Sequence, residues 1–452
     1  MPLNYPALTR SAATVPATLR DPLILAAAAL VVFVSIFPRA AAAVFLALCL
    51  GAAIVAFSPA RRPDWSTRVA SPLIWTAPIW TALAFAAWSM LTAAWSPAPW
   101  SSLSKPLYFA AGAAGLAIVA AGARTLARTT LWRILQGALL GLLIGGAILA
   151  IETLTDQALT RFFYNAFPSL RAGLDKQVVM VNGIVEQVKE NNINRRATII
   201  TLLLAPALLT AALASEKWVR WGATALILVL AAILMRYSAH QSSQAAIVAA
   251  TLAYFLARVA PRTALTVIAA AWVACCLLVV PMVMALHATS IHKNENGLFF
   301  SARHRIVIWN TTAEKIMKSP ILGIGADATA TVTEARAQNP DAALVEKDGQ
   351  FTPDTARHAH NVYLQTWYEL GAVGAVLLMA LGLAALAAIN RSTTALQPYL
   401  LAEFAAIAGM IAFSFSLWQV WFQGAIGLGV LILLIGQPVA GPGKPNNELA
   451  GS

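Results

Sequence analysis

The sequence predicts an all-α polytopic membrane protein with about twelve transmembrane helices. Of its 452 residues, 59% are hydrophobic and only 11% are charged, whereas soluble domains average about 45–50% apolar and about 25% charged residues. Apolar runs of about twenty residues, the length that crosses a bilayer, recur along the chain. Backbone polar groups in a bilayer must bond within the protein, and no short alternating strands are visible, so we expect helices and not a barrel.

The expected spans follow these runs in chain order. Arg10 and Arg20 precede the first run, but it lacks a convincing small-residue cleavage site, so we interpret it as a retained span and not a signal peptide. The twelve runs lie at roughly 23–37, 39–57, 72–94, 106–122, 131–153, 197–214, 218–236, 243–259, 263–286, 371–389, 399–416 and 417–437.

The connections complete the expected organisation. It begins with a cytoplasmic tail at 1–22, and spans one to nine at 23–286 include an outer segment at about 154–196. A large helical loop at 287–370, expected on the outer side, holds the candidate catalytic residues. Spans ten to twelve at 371–437 and a disordered cytoplasmic tail at 438–452 follow it.

The short connections predict the orientation. With a cytoplasmic N-terminus, the tails and inner loops hold fourteen Lys and Arg residues, and the short outer loops hold only Arg39, Lys105 and Arg236. Because basic residues concentrate in cytoplasmic loops, both termini are expected inside the cell. Both long connections and all six histidines then lie on the outer side. We therefore expect the working site on the outer side of the membrane, at the lipid–water boundary.

Composition also argues against several functional classes. The net charge of +12 accompanies no soluble basic domain with interleaved aromatic residues, so we assign it to topology and contacts with membrane lipids and expect no nucleic-acid partner. The three cysteines lie in apolar runs and predict neither disulfides nor a metal site. The chain has no Walker sequence and no paired carboxylates beside the histidines, so we expect no ATP-driven machine, no metal and no cofactor.

The segment from Ser301 to Ser319 predicts an amphipathic helix. Its apolar face has helical spacing and comprises Ile306, Trp309, Ala313 and Ile316. Arg303 and Arg305 lie near the helix N-terminus, which is a natural site for an anion. The alternative is that these arginines bind lipid phosphates or cap the helix.

The segment from His358 to Gly374 predicts the start of another helix. His360, Leu364 and Gly371 have the spacing of one helical face, and His360 or Asn361 would begin the helix. A helix N-terminus disfavours the imidazolium form, which would leave His360 neutral and able to act as a general base. The alternative is that His360 and Asn361 only cap the helix.

Two further polar segments lie at the outer ends of spans. Arg195 and Arg196 precede span six, and since adjacent helical residues point about 100° apart, only one of them is expected to face the interior. The alternative is an arginine that reaches the lipid interface. Tyr237–Gln244 is also polar, and we expect it to be a plain turn; the alternative is that it hydrogen-bonds sugar hydroxyls or an acceptor.

Together these motifs resemble the O-antigen ligase and polymerase superfamily of bacterial envelope glycosyltransferases, and most closely the O-antigen ligase family. The resemblance rests on R-x-x-x-W at Arg305–Trp309, P-x-x-G-x-G at 320–325, and His360–Asn361 with Gly371 ten positions after the asparagine. Its sequence-specific part covers residues 301–374. The serine–arginine pair that many relatives have at the outer end of a middle span is missing, because 238–244 contains no arginine.

The resemblance implies the reaction and its partners. O-antigen ligases transfer a glycan from undecaprenyl pyrophosphate to lipid A–core oligosaccharide in the periplasm. Forked guanidinium donors can hold a pyrophosphate in place of a metal, and a histidine can take the proton of the acceptor hydroxyl in an inverting displacement. The expected roles are pyrophosphate binding by Arg305, Arg303 and Arg195 or Arg196, base catalysis by His360, and support by Asn361, Trp309 and Gly371.

Three other functions stay open from the sequence. An O-antigen polymerase would use the same donor with a second lipid-linked glycan as acceptor, and a protein O-oligosaccharyltransferase of the same superfamily would modify protein. A lipid or sugar transporter would need ionisable residues deep in its spans. Apart from Glu403, the expected spans are nearly free of charge, which argues against transport.

Overall fold

The predicted all-α polytopic membrane fold is confirmed by a computed structural model, which describes residues 21–56, 76–171, 178–294, 297–337 and 356–440. Most of the predicted N-terminal tail and nearly all of the predicted C-terminal tail lie outside these residues. Within them, the elements in chain order are α1 (Pro22–Ile36), α2 (Ala41–Ala56), α3 (Thr76–Leu91), α4 (Pro99–Ala123), α5 (Arg128–Leu154), α6 (Ala158–Ala166), β1 (Val178–Val181), β2 (Ile184–Val188), α7 (Asn194–Leu213), α8 (Lys217–Tyr237), α9 (Gln241–Val259), α10 (Pro261–Ala288), α11 (Phe300–Ile316), α12 (Thr329–Ala337), α13 (Val362–Asn390), α14 (Gln397–Phe413) and α15 (Val420–Ala440).

Twelve of these helices correspond to the expected spans. Ten are long and apolar enough to cross a membrane, and α1 and α14 are shorter apolar helices within the described part of the chain. The largest differences are near the late spans. Helix α13 begins at Val362, nine residues before the expected span, and residues 414–419 separate α14 from α15 where two adjoining spans were expected. Helix α15 also extends to Ala440, into the expected tail.

Close packing between α1 and α5 rests on glycines spaced four residues apart. A Cβ at Gly137 would overlap Ile24 and Ala27, and one at Gly141 would overlap Ala28 and Val31. Small residues let helix backbones approach and gain van der Waals contact where lipid offers no hydrophobic driving force. The contacted residues follow the same order along both helices, so α1 and α5 are parallel.

The segment between α5 and α7, which is expected on the outer side, contains a β-hairpin that we did not expect. Strands β1 and β2 pair antiparallel around Asn182–Gly183, with an irregularity between Val179 and Met180. Asn-Gly between short apolar runs is a strong hairpin signal. The sequence carries this signal at Asn182–Gly183, in a segment that the pattern of apolar runs predicts only as a connection between spans.

Helix α13 is broken at Gly371, and the loop that follows α11 fills the break. Gly371 has φ 67° and ψ −166°, which are not helical. The carbonyl oxygens of Tyr368 and Glu369 accept hydrogen bonds from the main-chain N–H groups of Ile324 at 3.1 Å and Gly325 at 2.8 Å. The loop therefore supplies donors to carbonyl groups that the broken helix cannot satisfy.

Glycine is required on both sides of this contact. A Cβ at Gly371 would overlap the carbonyl group of Ile321, and one at Gly323 would overlap the carbonyl group of Glu369. Both glycines have positive φ, at 67° and 68°, which residues with a Cβ rarely adopt. The glycines of the two sequence motifs thus meet in one packing contact that holds α11 against α13.

Candidate functional site

His360 lies immediately before the N-cap of α13, outside the helix. Its φ is 52°, and its Nδ1 is 3.2 Å from the main-chain carbonyl oxygen of Ser414, in the turn between α14 and α15. Because a carbonyl oxygen only accepts, Nδ1 carries the proton and Nε2 is left as an acceptor. The expected common face of His360, Leu364 and Gly371 is wrong, because His360 precedes the helix and Gly371 interrupts it.

The environment of His360 favours its neutral form. Its pKa is lowered to about 3, first by burial and then by the neighbouring His358 and Arg305, while the bond to Ser414 acts in the opposite direction. The imidazole is therefore neutral near pH 7, as expected. The cause differs from the one the sequence suggested, because burial and not the helix N-terminus dominates.

Arg305 extends from α11 to the first residue of α9. Its Nη1 is 3.4 Å from the side-chain oxygen of Gln241, which also accepts a hydrogen bond from the Ser301 hydroxyl at 3.1 Å. The pKa values of His240, His358 and His360 are all lowered by burial and in part by Arg305. The cation therefore lies among three histidines from two separate segments.

His240 is a member of this cluster that sequence reasoning missed. Its Nδ1 is 2.8 Å from the Ser243 hydroxyl, and its Nε2 is 3.4 Å from the Ser414 hydroxyl. Burial, and then Arg305, lower its pKa to about 3. The uninterrupted polar run from His240 to Gln244 at the start of α9 is the signal that could have identified it.

Trp309 and Asn361 support the site through packing and helix capping. Trp309 is buried, and its ring centroid is 6.1 Å from that of Phe413, the residue before Ser414. Asn361 is the N-cap of α13, and its Oδ1 accepts the main-chain N–H of Leu364 at 3.0 Å. The capping interpretation thus describes the geometry of Asn361, and Trp309 packs α11 against the end of α14.

Glu369 is a second residue that the sequence did not identify. Its carboxylate is buried in α13 and accepts hydrogen bonds from the Gln365 amide and the Trp418 indole. It also accepts the main-chain N–H of Asp327 at 3.1 Å and the hydroxyl of Thr329. These bonds join α13, the loop after α11 and the turn before α15, so they fix the frame on which His360 and the Ser414 carbonyl lie.

Arg195 and Arg196 point to different neighbours, as expected for adjacent helical residues. The Arg195 guanidinium lies 5.6 Å from the ring centroid of Trp421. Arg39, in the turn between α1 and α2, is close enough to interact with it electrostatically. Arg196 instead donates to the hydroxyl of Thr160 in α6 at 3.4 Å. Arg195 is therefore the member of the pair that faces the bundle.

Aromatic contacts connect Arg195 to the histidine cluster. The ring of Trp421 lies 4.7 Å from that of Phe415, and Phe415 lies 5.7 Å from the ring of His240. The two predicted cationic groups, Arg195 and Arg305, thus border one continuous set of side chains. Arg39 was expected only as a residue of a short outer loop, and the structure adds it to this border.

The side chain of Arg303 projects from α11 in a different direction from that of Arg305. It is buried in α11, and its guanidinium lies 6.0 Å from the ring centroid of Phe300. Two residues correspond to about 200° around a helix, so the two arginines project from opposite sides of α11. Across the described residues, no group of three or more His, Cys, Asp or Glu side chains could hold a metal ion, and metal independence stays a prediction.

Comparison with known proteins finds similarity in the segment that carries most of this cluster. Residues 226–379 match the family model described as O-antigen ligase. A protein of Rickettsia conorii is 31% identical over 138 residues, covering 30% of this chain and 31% of the relative. A second, from Rickettsia felis, is 31% identical over 139 residues, covering 30% and 32%. Both names include the words polysaccharide ligase.

The alignments with these relatives cover about a third of this chain and about a third of each relative. The segment that the family model matches, 226–379, contains Arg305, Trp309, His360 and Gly371, the residues on which the sequence resemblance rests. The histidine cluster lies inside it at His240 and His360. The resemblance of this multi-pass membrane protein to the O-antigen ligase family is confirmed over the matched segment.

Proposed function

We propose that this protein is an O-antigen ligase of the bacterial inner membrane. It would transfer O-antigen polysaccharide from undecaprenyl pyrophosphate to lipid A–core oligosaccharide at the periplasmic face, without a metal. The observation that carries the proposal is the bond from His360 Nδ1 to the Ser414 carbonyl. It leaves Nε2 as a base in a cluster that also contains the Arg305 cation.

The cations would bind the pyrophosphate. Arg305 and Arg195 border the same set of side chains, and Arg39 lies near Arg195. Arg195 and Arg39 are like charges close enough to repel each other, and a bound anion would offset this repulsion, so their arrangement favours a polyanionic ligand. A guanidinium offers several parallel N–H donors to phosphate oxygens and remains charged when partly buried.

His360 would activate the acceptor. The hydroxyl of the acceptor sugar gives its proton to Nε2 as its oxygen attacks the anomeric carbon. The bond from that carbon to the phosphate oxygen breaks, and undecaprenyl pyrophosphate leaves with the negative charge that the arginines stabilise. A single displacement of this kind inverts the anomeric configuration.

Donor binding would also adjust the base. In the donor-free site, Arg305 contributes to the low pKa of His360. A bound pyrophosphate places negative charge beside both groups, which favours the imidazolium form and raises the pKa of His360. The imidazole then becomes a stronger base only when the donor is present, which links proton removal to donor binding.

Transfer by the purified protein in phosphatidylethanolamine and phosphatidylglycerol vesicles tests the proposal. We expect lipid A–core to gain glycan from an undecaprenyl-pyrophosphate donor, and the rate to persist in excess chelator. Extension of a second lipid-linked glycan without modification of lipid A–core would show a polymerase. Transfer only to protein would show an oligosaccharyltransferase. Movement of unaltered lipid-linked glycan between leaflets would show a transporter, and each of these outcomes overturns the ligase assignment.

A further inference from the structure

The outer segment between α5 and α7 exposes apolar side chains on both of its elements. The exposed side chains include Phe162, at 64% exposure, and Phe163 in α6, and Phe167 immediately after it. In the hairpin, Val181 and Ile184 are exposed on either side of the Asn-Gly turn. We call α6 together with strands β1 and β2 the α6–hairpin unit.

Two polar side chains of α6, and Gln157 immediately before it, form hydrogen bonds with the main chain of β2. The amide of Asn165 donates to the carbonyl of Val185 at 3.1 Å and accepts its N–H at 2.8 Å. Gln157 donates to the carbonyl of Val188 at 2.9 Å, and Arg161 donates to that of Glu186 at 3.0 Å. A surface unit in water places apolar residues inside and polar residues outside. Here Val178, Val185 and Val188 are buried within the unit, while a second set of apolar side chains is exposed beside polar residues such as Gln187, so the unit is amphipathic.

The unit lies at the height of the membrane boundary. Gly146 of α5 packs against Leu230 of α8. Because α7 is the single spanning helix between them in the chain, α5 and α8 run in the same direction. Seven residues further along each helix, or about 10 Å, α5 reaches Thr153 and α8 reaches Tyr237. Arg236 lies over the Tyr237 ring, with 5.1 Å between its guanidinium carbon and the ring centroid. A cation and an exposed tyrosine at a helix end are typical of the lipid headgroup level.

The apolar surface of the unit continues the surface of α5 that faces lipid. Ile151 and Leu154, at the end of α5, are exposed apolar residues, and only residues 155–157 separate this helix from α6. The exposed phenylalanines of α6 therefore extend the bilayer-facing surface of a spanning helix. This continuity favours lipid as the occupant over a second copy of the chain or another protein.

We propose that the α6–hairpin unit lies on the outer surface of the bilayer, with Phe162, Phe163, Val181 and Ile184 in the boundary between headgroups and acyl chains. Amphipathic segments of this kind bind in the plane of the interface. Thr160 of the unit contacts Arg196 at 3.4 Å, so the anchored unit would hold the start of α7, with Arg195, at headgroup height. The proposal concerns membrane position and does not depend on which glycan the protein transfers.

Nitroxide accessibility in lipid discs of phosphatidylethanolamine and phosphatidylglycerol tests this placement. Single cysteines for labelling replace Phe162, Val181 or Ile184 in the full-length protein, after the three native cysteines are changed to alanine. Gln187, an exposed polar residue of β2, is the matched control position. Thermal unfolding and glycan transfer by each labelled protein show whether the fold is retained. Val181 and Ile184 flank a surface turn and keep the test informative if the change at Phe162 disturbs α6.

We expect collisions with oxygen to exceed those with a water-soluble nickel complex at Phe162→Cys, Val181→Cys and Ile184→Cys. The ratio of the two collision rates should be several-fold higher there than at Gln187→Cys. Equal ratios at all four positions would put the unit in water and overturn the proposal. Low oxygen accessibility with dipolar coupling between labels on two molecules would show that a second copy covers this surface, and would also overturn it.

Discussion

His360 donates its Nδ1 proton to the main-chain carbonyl of Ser414, 54 residues away in the chain, across 3.2 Å. The group that fixes the tautomer is thus a neutral carbonyl and not a carboxylate. A carbonyl orients the ring but contributes less than a carboxylate to stabilising the imidazolium that forms when Nε2 accepts a proton. In the proposed reaction, the phosphates of the donor supply that negative charge.

Replacing His360 with Asn should lower kcat by about 10²–10⁴-fold, because general-base assistance is lost. Asn tolerates the positive φ of this position better than most residues, so the fold should be retained. Affinity for the donor should change little. Transfer rates and donor binding measure the two effects, with His287→Asn as a control outside the cluster. Wild-type turnover in His360→Asn would remove the base assignment.

The pH dependence should differ between kcat/KM and kcat. His360 has a pKa of about 3 without donor, lowered first by burial, so it stays neutral above about pH 5 and protonates only as the pH falls further. The acid limb of kcat/KM due to this group should therefore lie far below neutrality. The acid limb of kcat, which reports the donor complex, should lie at higher pH because the bound pyrophosphate favours the charged form. Coincident limbs in full pH–rate profiles would contradict this coupling.

Arg195 and Arg196 form a matched pair for testing the pyrophosphate site. Arg195→Ala should weaken donor binding and lower kcat together, because Arg195 lies over Trp421 near Arg39. Arg196→Ala should leave donor affinity nearly unchanged, because Arg196 contacts Thr160 in the outer segment. Titration of each variant with undecaprenyl pyrophosphate gives the comparison. A larger loss of affinity in Arg196→Ala would reverse the assignment.

Gly371→Ala should destabilise the protein by about 2–6 kcal/mol, from the strain of positive φ and the overlap with the Ile321 carbonyl. Gly222→Ala, in α8, is the control, because nothing lies within 4 Å of the added Cβ. Alanine has the higher helix propensity, so this change should be neutral or stabilise by up to about 1 kcal/mol. Thermal unfolding in detergent measures both, and equal midpoints would contradict the role of the break in α13.

Two buried glutamates should respond differently to amide substitution. Glu369→Gln should lower stability by about 1–3 kcal/mol, because the new NH₂ group would face N–H and O–H donors such as the Trp418 indole. Glu403→Gln should not destabilise, since neither carboxylate oxygen of Glu403 has a hydrogen-bond partner among the described residues. The unfolding midpoints of the two variants test this prediction. A lower midpoint for Glu403→Gln than for Glu369→Gln would contradict it.

The sequence by itself determined the class of fold and the pieces of the candidate site. A bilayer excludes unpaired backbone groups, so long apolar runs can only be helices or strands of a closed barrel, and their length decides for helices. Local spacing was sufficient to predict α11 with its buried Ile306 and Trp309. It also predicted that a helix begins at His360 or Asn361, and the structure shows that Asn361 is the cap. The fixed φ values of Gly323 and Gly371 account for the glycines in both motifs.

Only the tertiary structure decided which of these pieces meet. The bond between His360 and Ser414, and the position of His240 beside them, join segments far apart in the chain. The choice of Arg195 over Arg196 likewise depends on Trp421 in the last helix. Hydrogen bonds and cation–π contacts act over a few ångströms between groups whose separation along the chain carries no signal. Helix packing therefore had to bring those groups together before the sequence motifs could be assembled into a site.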